Sequence, residues 1–274
     1  MAYTRVSGTK NDFIYYSHAY YDKEHVFSAE SHAHDMCEII YVLQGDITYN
    51  VEGRVYDIAN GDIIVTPPGK IHSIYSKTRT LYKRHCALLN KSLFPKVIWN
   101  KVIEGRDVYK CADNEKIKSL YEKMEEYCEI FDDTEVRSHI VQNLLEEVFY
   151  NLSLITDGEQ TVSINPLIEK ALAYISKNLT EIRDIEEVSN AVYVTKSHLH
   201  HVFMRELKLT PGKYITSKRL LLAQKKIMKG EKPTQVFSEC GFEDYATFFR
   251  NYKNYFGYSP SREGENELRR SVMS

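Results

Sequence analysis

Short runs of Ile, Val and Tyr alternate with turn residues over residues 31–74. The turns fall about eight residues apart, at Gly45, Gly53 and Gly61. Short strands at such regular spacing are typical of a sandwich or a barrel. The pattern therefore predicts a small all-β barrel over residues 1–112.

The period changes from that of a strand to that of a helix after the barrel. Between Asp113 and Phe131 the apolar residues form one stripe, which contains Ile117, Leu120, Tyr121, Met124 and Cys128. A second helix begins at Thr134, with apolar residues at every fourth position: Val136, Ile140, Leu144, Val148 and Leu152. We interpret residues 113–163 as a helical dimerisation and linker segment. The alternative is that these helices only cover the barrel.

Helical periodicity continues through residues 164–274. A capped helix begins at Asn165-Pro166, and a long helix runs from Pro211 to Lys229. A helix pair precedes the long helix and a second pair follows it, with turns near Tyr193 and Gly241. The predicted fold class is thus α+β: an N-terminal all-β barrel, two amphipathic helices, and an all-α domain with two tandem helix-turn-helix units.

Charge is divided unevenly between the two halves of the chain. The net charge is -2 overall, yet residues 164–274 carry 18 Lys and Arg against 13 Asp and Glu, whereas residues 1–163 carry 18 against 25. A basic domain indicates a polyanionic partner. No apolar run reaches the ~20 residues that a membrane span needs. Because the N-terminal sequence also lacks a signal-peptide core, we expect a cytoplasmic protein with no membrane partner.

Two histidine motifs lie within the predicted barrel. His32, His34 and Glu38 form H-x-H-x3-E, and His72 closes a Gly-x5-Pro-x-Gly-x2-His motif one hairpin later. Together they resemble the two motifs of the cupin barrel, whose enzymes use these four side chains to bind a divalent metal. On a strand, H-x-H would direct both imidazoles to one face. Imidazole and carboxylate groups suit Zn, Fe, Ni or Mn.

The end of the chain carries a second signature. The segment CGFEDYATFFRNYKNYFGYSP contains G-F-x-D, F-x-R-x-[FY]-K and G-x-S-P. With a cupin-like domain in front, it resembles the AraC/XylS family of bacterial transcription regulators, which implies a DNA-binding domain with tandem helix-turn-helix units. The sequence departs from the family pattern at Tyr193 and Lys208, where glycines are usual, and at Phe237, where a small residue is usual.

The long helix would span about 30 Å, close to the ~34 Å between successive major-groove faces of B-DNA. We therefore expect one chain to contact two grooves, through residues that lie off the buried stripe of each recognition helix. These are Lys196, Ser197, His200 and His201 on the first helix, and Tyr245, Ala246, Phe249, Arg250 and Lys253 on the second. Arg250 is the candidate for guanine, and Phe249, if exposed, for a thymine methyl group.

The cupin-type residues also have a metal-free interpretation, as the lining of a pocket for an organic effector. Val26 replaces the glycine that the family has six positions before the first histidine, and a regulator needs no Lewis acid to distinguish two states. We therefore expect no cofactor, with a divalent metal on His32, His34, Glu38 and His72 as the alternative. Tyrosine rings suit stacking on a sugar, so a saccharide is the expected effector. The predicted effector-binding residues are His32, His34, Glu38, Tyr41, Tyr49 and His72.

These patterns predict an effector-responsive, sequence-specific DNA-binding transcription regulator that is not an enzyme. Its expected partners are double-stranded promoter or operator DNA, a small-molecule effector, a second copy of the chain and, if it activates, RNA polymerase. The alternative function is a metal-dependent cupin enzyme, an isomerase or a dioxygenase, with an accessory helical domain. Tight, site-selective DNA binding without turnover distinguishes the two.

Overall fold

The computed structural model divides the chain into two compact units. It describes residues 3–21, 23–24, 26–156 and 163–265. Unit 1 comprises residues 1–30, 36–51 and 55–162. Unit 2 comprises residues 31–35, 52–54 and 163–274.

The strand-rich part forms two sheets rather than one closed barrel. Its strands are β1 (Tyr3–Lys10), β2 (Ile14–Tyr21), β3 (Cys37–Gln44), β4 (Ile47–Val51), β5 (Arg54–Ile58), β6 (Ile63–Thr66), β7 (His72–Ser76), β8 (Lys83–Leu89) and β9 (Val108–Tyr109). The larger sheet has the order β1-β2-β8-β3-β6-β9, and its neighbouring strands are antiparallel. The second sheet contains β5, β4 and β7 in that order. The cupin-like, strand-rich prediction is confirmed, although the two sheets do not close on each other.

The larger sheet buries apolar side chains on both of its faces, because side chains alternate along each strand. Its inner face, with Ile40 and Cys86, shares a core with Tyr49 of the second sheet. Its outer face, with Tyr16 and Ile39, packs in a separate core with the helices that follow the strands.

Three helices complete unit 1 within its described residues: α1 (Lys96–Ile103), α2 (Glu115–Ile130) and α3 (Thr134–Leu152). Side chains of Asn114 and Asp133 accept backbone hydrogen bonds at the first turns of α2 and α3, which satisfies donors that a helix start leaves free. The predicted apolar stripe of α2 is buried as expected, from Ile117 to Cys128. It packs against the outer face, so α2 does cover the sheet.

The apolar positions that the sequence predicted on α3 are divided between the surface and the core. Val136 is 42 % exposed, Ile140 and Leu144 are half-buried, and only Val148 and Leu152 lie in the core. A spacing of four residues advances the direction of each side chain by about 40° around a helix of 3.6 residues per turn. Five such positions therefore fan out over about 160° and cannot share one face. The remaining core positions of α3 are Val141, Leu145 and Phe149.

Unit 2 is helical over most of its described length. Its elements are β10 (Ser163–Ile164), α4 (Pro166–Asn178), α5 (Ile185–Ala191), α6 (Lys196–Leu207), α7 (Pro211–Ile227), α8 (Pro233–Glu239) and α9 (Tyr245–Phe256). Polar side chains cap α4, α5, α6, α7 and α9: Asn165, Asp184, Thr195, Thr210 and Asp244. The pairs α5–α6 and α8–α9 are the two predicted helix-turn-helix units.

Helix α7 joins the two pairs and is shorter than the sequence predicted. It has 17 residues, which corresponds to about 26 Å at 1.5 Å per residue. The guanidinium of Arg219 on α7 donates to the carbonyl oxygens of Leu179 and Ile182, at 2.9 and 2.5 Å. These bonds satisfy backbone acceptors after α4, and they tie the connecting helix to the segment between α4 and α5.

Within the described part of the chain, no helix combines the length and the apolar character that a bilayer span requires. Helix α3 has 19 residues, but it carries the charged residues Glu135, Arg137, Glu146 and Glu147.

Candidate functional site

Glu38, on the inner face of the larger sheet, and His72, in the second sheet, form a buried polar pair. Glu38 lies on β3 and His72 begins β7, with His72 Nε2 and Glu38 Oε2 separated by 3.0 Å. The thiol of Cys86 on β8 donates to the other carboxylate oxygen at 3.3 Å. All three residues are buried. The structure thus brings together two of the predicted effector-binding residues.

Each ring nitrogen of His72 faces an oxygen that accepts hydrogen bonds. Nδ1 lies 3.0 Å from the carbonyl oxygen of Lys70, while Nε2 faces Glu38. An imidazolium satisfies both by donating twice. A neutral ring that donates from Nδ1 to Lys70 leaves a lone pair on Nε2, and this is how proteins orient a histidine that binds a metal. The donor set therefore fits a divalent metal as well as a metal-free pocket.

Tyr49 adds a hydroxyl group to the same region. It lies on β4 and is fully buried, and its hydroxyl group is 2.8 Å from Thr66 Oγ1. Its ring centroid is 6.3 Å from that of His72. Burial raises the pKa of Tyr49 well above its usual value, so the phenol stays neutral and remains a donor. Glu38, Tyr49 and His72 together offer donors and acceptors to a polar molecule.

His32 and His34 lie in the segment 31–35, which belongs to unit 2. Their ring centroids are 5.9 Å apart with planes inclined by 52°, and both residues are half-buried. The prediction that this H-x-H lies on a strand is wrong, because β3 begins only at Cys37, after bends at residues 35 and 36. The proximity of the two rings is therefore not produced by strand alternation.

Tyr41 does not lie with the other predicted effector-binding residues. It points to the outer face and stacks on Tyr121 of α2, with ring centroids 4.4 Å apart. Glu38 and Tyr41 are three positions apart on β3, and an odd separation along a strand places side chains on opposite faces. The prediction of Tyr41 as a pocket residue is wrong for this reason.

Sequence reasoning missed a second polar group, the outer-face cluster of His18, His85 and Glu125. Both histidines contact Glu125 Oε1, from His18 Nδ1 at 3.3 Å and from His85 Nε2 at 3.0 Å. Burial lowers the pKa of His18 to about 4 and also lowers the pKa of His85. Burial alone would raise the pKa of Glu125, but the hydrogen bond and charge of His85 lower it overall. Because the pKa values of both histidines lie below the ordinary 6.5, both imidazoles are mainly neutral at pH 7.

In unit 2, α6 has one apolar and one polar face. Leu199, Val202 and Phe203 are buried. The four predicted DNA-contacting residues of this helix are exposed: Lys196, Ser197, His200 and His201. Lys196 also forms an ion pair with Asp184 at 2.9 Å, and because both groups are exposed this pair is weak. The polar face of α6 is thus accessible, as in a recognition helix.

The predicted DNA-contacting residues of α9 are of two kinds. Ala246, Arg250 and Lys253 are exposed, whereas Tyr245 and Phe249 are half-buried. The rings of Tyr245 and Phe249 lie 6.2 Å apart, and Tyr245 also packs with Phe248 at 5.8 Å. Phe249 is thus partly exposed, and its contact with a thymine methyl group stays a prediction. The exposed cations of this helix are Arg250 and Lys253.

The turns of the two helix pairs have the same backbone geometry. Tyr193 and Gly241 adopt positive φ angles of 59° and 84°. Val194 donates to the Ser189 carbonyl, and Phe242 to the Phe237 carbonyl, each at 3.0 Å, which is the long bond of a Schellman motif. Replacing the usual glycine by Tyr193 therefore leaves the turn intact, and Lys208 likewise retains a positive φ of 53°.

Two family models match the chain, a cupin domain over residues 22–80 and a helix-turn-helix domain over residues 188–265. Together with the paired helices and their exposed polar faces, they define a DNA-binding transcription regulator with a cupin-type domain for an effector. The chain belongs to the AraC/XylS family, as its sequence signature predicted. The relatives found are transcription regulators, which favours a function other than catalysis.

The relatives differ in how much of the chain they match. The lactose operon transcription activator of Staphylococcus xylosus is 24 % identical over 230 residues, which are 80 % of each protein. The multiple antibiotic resistance protein MarA of Salmonella typhimurium is 31 % identical over 96 residues, 35 % of this chain and 76 % of MarA. The match to the probable regulator LumQ of Photobacterium leiognathi, 26 % identical, includes 47 % of this chain and about half of LumQ, 52 %. A crystal structure of ToxT from Vibrio cholerae aligns over 96 % of this chain and 100 % of ToxT, with 14 % identity and a TM-score of 0.39.

Proposed function

We propose that the chain binds operator DNA through α6 and α9 and binds a small polar effector, of the saccharide class, in its cupin-like region. The observation that carries the proposal is the pair of capped recognition helices in one compact unit. Each helix buries an apolar face and leaves polar or cationic side chains exposed. This is the arrangement with which helix-turn-helix proteins enter the major groove.

Within this interface the cations have different roles. The planar guanidinium of Arg250 suits bidentate pairing with guanine O6 and N7, which carries sequence information. Lys253, a point charge one turn further along α9, suits a phosphate contact, which is indifferent to sequence. Helix α7 spans about 26 Å, so DNA bending or the turns at its ends must supply the rest of the ~34 Å groove repeat.

The test of DNA binding uses the full chain and an operator selected from random duplex DNA. With six to ten phosphate contacts we expect affinity to fall about 10³- to 10⁵-fold between 50 and 200 mM salt. Lys253→Ala should reduce the slope of the log–log salt plot by about 1 and weaken all sequences alike. The matched control is Lys225→Ala, an exposed lysine on α7 outside both recognition helices. A nearly flat salt titration contradicts the proposal.

The proposal of a saccharide effector rests on polar groups of the inner face and of the second sheet that packs against it. Glu38, His72 and Tyr49 supply a carboxylate, an imidazole and a phenol, groups that hydrogen-bond the hydroxyl groups of a sugar. One relative, 24 % identical over 80 % of this chain, is named as the activator of a lactose operon. Because the likeness to that protein extends into the cupin-like region, its link to a lactose operon supports a saccharide as the effector class here, without identifying the particular sugar.

Thermal unfolding in the presence of single sugars tests the effector. A ligand at 100 times its Kd stabilises the folded chain by about 2.7 kcal/mol. We expect Tyr49→Phe to reduce the ligand-induced shift and the matched change on the outer face, Tyr41→Phe, to leave it unaltered. A stabilisation produced only by non-saccharide ligands, or equal shifts in both variants, contradicts the saccharide proposal.

The alternative function, a metal-dependent cupin enzyme, is favoured by the contacts of His72. Its Nδ1 faces the Lys70 carbonyl at 3.0 Å, which directs Nε2 towards Glu38. The cupin motifs of the sequence assign a metal to His32, His34, Glu38 and His72, where it would supply a Lewis acid. We propose the metal-free pocket. Elemental analysis of untagged protein distinguishes the two: stoichiometric metal that His34→Ala and His72→Ala both abolish, together with turnover, would establish the enzyme.

We propose further that the helical segment pairs two chains. Ile130 and Val136 are 59 % and 42 % exposed, and Ile140 is half-buried, so apolar surface remains on α2 and α3 after they cover the sheet. The double change Val136→Glu, Ile140→Glu should convert a dimer to a monomer in sedimentation of the full chain. His139→Glu, an exposed position on α3, is the control. A monomeric wild-type chain at tens of micromolar contradicts the dimer. Contact with RNA polymerase stays a prediction, conditional on activation.

A further inference from the structure

The outer-face cluster lies on the opposite side of the larger sheet from Glu38 and His72. His18 on β2 and His85 on β8 are directly paired in the antiparallel register, and their rings stack with centroids 4.6 Å apart. Glu125 reaches them from α2. Because the two histidines stand on hydrogen-bonded strands and the carboxylate stands on a packed helix, the three groups have little freedom to separate.

Three ligand atoms converge within this cluster. A single carboxylate oxygen, Glu125 Oε1, lies 3.0 Å from His85 Nε2 and 3.3 Å from His18 Nδ1, and the ligand atoms of the three residues all lie within 4.8 Å of one another. In a tetrahedral zinc site with bonds of 2.0 to 2.1 Å, neighbouring ligand atoms are about 3.3 Å apart. The two distances to Glu125 Oε1 are close to this value, and the two histidine ligand atoms lie within 4.8 Å of each other, so side-chain rotation can bring all three to bonding distance of one ion.

The surroundings of His85 are those of an oriented ligand. Its Nδ1 lies 2.7 Å from the hydroxyl oxygen of Tyr16, and its ring packs against Tyr41 and Tyr121 at 6.0 and 4.9 Å. When Nε2 binds a metal, the proton moves to Nδ1 and is donated to the Tyr16 oxygen, so the same contact holds the ring in place. His18 is 3 % exposed, and its Nε2 has no hydrogen-bond partner among the described residues.

The remaining features concern charge and access. The side chain of Glu125 is 32 % exposed, so an ion can enter beside it from solvent. Lys83 Nζ lies 4.0 Å from the same carboxylate oxygen, and because its side chain is 39 % exposed it can move into water when a cation takes its place.

We propose that His18, His85 and Glu125 form a binding site for a divalent transition metal of the zinc type, with the fourth position left to water. Two imidazoles and one carboxylate are a ligand set that Zn²⁺ and Co²⁺ both accept. The site is separate from the cupin-motif residues, and it joins β2 and β8 to α2. A bound metal would therefore hold α2 against the outer face, so that metal availability would be linked to the docking of this helix.

The test titrates the full-length, untagged chain with Co²⁺ alone, and with Zn²⁺ in competition, and records the visible bands of four-coordinate Co²⁺. We expect one ion per chain. Glu125→Gln, at a partly exposed position, should weaken binding at least 100-fold, and Tyr16→Phe, which removes the orienting contact, about 10- to 100-fold. Lys83→Gln should tighten binding, because it removes a competing cation. Glu122→Gln, an exposed carboxylate on the same helix, is the matched control.

Two further measurements separate this site from the cupin motif. His72→Gln should leave the Co²⁺ bands unchanged. In the wild-type chain, Co²⁺ should broaden the NMR signals of Tyr16 and Tyr121 more than those of Tyr49, a result that does not depend on any variant folding. Absence of binding at 100 µM Co²⁺, loss of binding in His72→Gln but not in Glu125→Gln, or preferential broadening of Tyr49 would each overturn the proposal.

Discussion

The two helix-turn-helix units build the same turn from different residues. Tyr193 in the first unit and Gly241 in the second occupy the left-handed position after α5 and α8, with φ angles of 59° and 84°. A Cβ atom added at Gly241 would lie 2.7 Å from the carbonyl oxygen of Thr180 and 2.8 Å from Arg219 Nε. The side chain of Tyr193, in contrast, is 94 % exposed.

This difference shows that glycine meets two separate requirements at such a turn. One is the positive φ angle, which costs a residue with a Cβ about 1 kcal/mol. The other is space, which only the second unit lacks, because the backbone after α4 and the side chain of Arg219 pass close to Gly241. The first unit therefore tolerates tyrosine, while the second does not tolerate even alanine.

The largest expected effect is that of Gly241→Ala. Left-handed strain and the close approach of the Thr180 oxygen should together lower the free energy of unfolding of the helical domain by about 2–4 kcal/mol. The matched change Tyr193→Ala removes an exposed side chain without altering the type of φ strain, so we expect less than about 0.5 kcal/mol. Urea unfolding followed by circular dichroism measures both values. Similar losses in the two variants would show that space does not distinguish the turns.

The two recognition helices also differ, in the side chains that they leave exposed or half-buried. Helix α9 combines Arg250 with the half-buried rings of Tyr245 and Phe249, whereas α6 presents His200 and other polar groups. A rigid, partly packed helix that carries an arginine favours direct base recognition. We infer that the second unit contributes more to sequence specificity than the first.

Arg250→Ala should therefore weaken binding to the selected operator by about 1–3 kcal/mol, roughly 5- to 150-fold, and relax the preference at one base pair. His200→Ala should weaken the same complex less. Fluorescence anisotropy with operator and random duplexes measures both effects. If Arg250→Ala weakens operator and random DNA equally, Arg250 contacts a phosphate and the second unit is not the specific one.

Much of this architecture follows from local patterns in the sequence. The caps Asn165, Thr195 and Asp244, and the apolar spacing behind them, predict where α4, α6 and α9 begin, because capping and periodicity act within a few residues. The buried pair of Glu38 and His72 was also predictable, since the two cupin motifs contain both residues. These features depend on chemistry that is local or shared by a family.

The remainder depends on contacts that are distant in sequence. The pairing of His18 with His85 results from the register of β2 against β8, and Glu125 joins them only after α2 has docked. No local pattern contains that information. The sequence grouped Tyr41 with Glu38 because the residue type indicates which contacts a tyrosine can form, but not which face of the sheet it occupies. The crowding at Gly241 likewise depends on the carbonyl oxygen of Thr180, which follows α4 and is distant from Gly241 in sequence.

A smaller effect tests whether strain remains in the first turn. Tyr193→Gly should raise the free energy of unfolding by about 0.5–1 kcal/mol, because glycine adopts the positive φ without steric cost. The larger conformational entropy of glycine in the unfolded chain offsets part of this gain. Lys208→Gly, at φ 53°, should behave similarly. Thermal unfolding of the full chain measures both. A loss of stability on either change would mean that the tyrosine or lysine side chain forms a contact that outweighs the backbone strain.

The smallest expected effect concerns the caps of the two recognition helices, Thr195 and Asp244. Thr195 does not titrate, whereas backbone and side-chain hydrogen bonds from Thr247 hold the pKa of Asp244 below its ordinary value of 3.8. Since the folded pKa lies below the unfolded one, the carboxylate stabilises α9 above pH 3.8, and this contribution is lost as the pH falls through the folded pKa.

NMR titration of the Asp244 carboxyl carbon should therefore give a midpoint below 3.8. Asp244→Asn should keep the cap and abolish this part of the pH dependence, and Thr195→Ser should leave it unchanged. A midpoint at or above the ordinary value would mean that the second recognition helix, like the first, begins with a cap whose strength does not depend on charge.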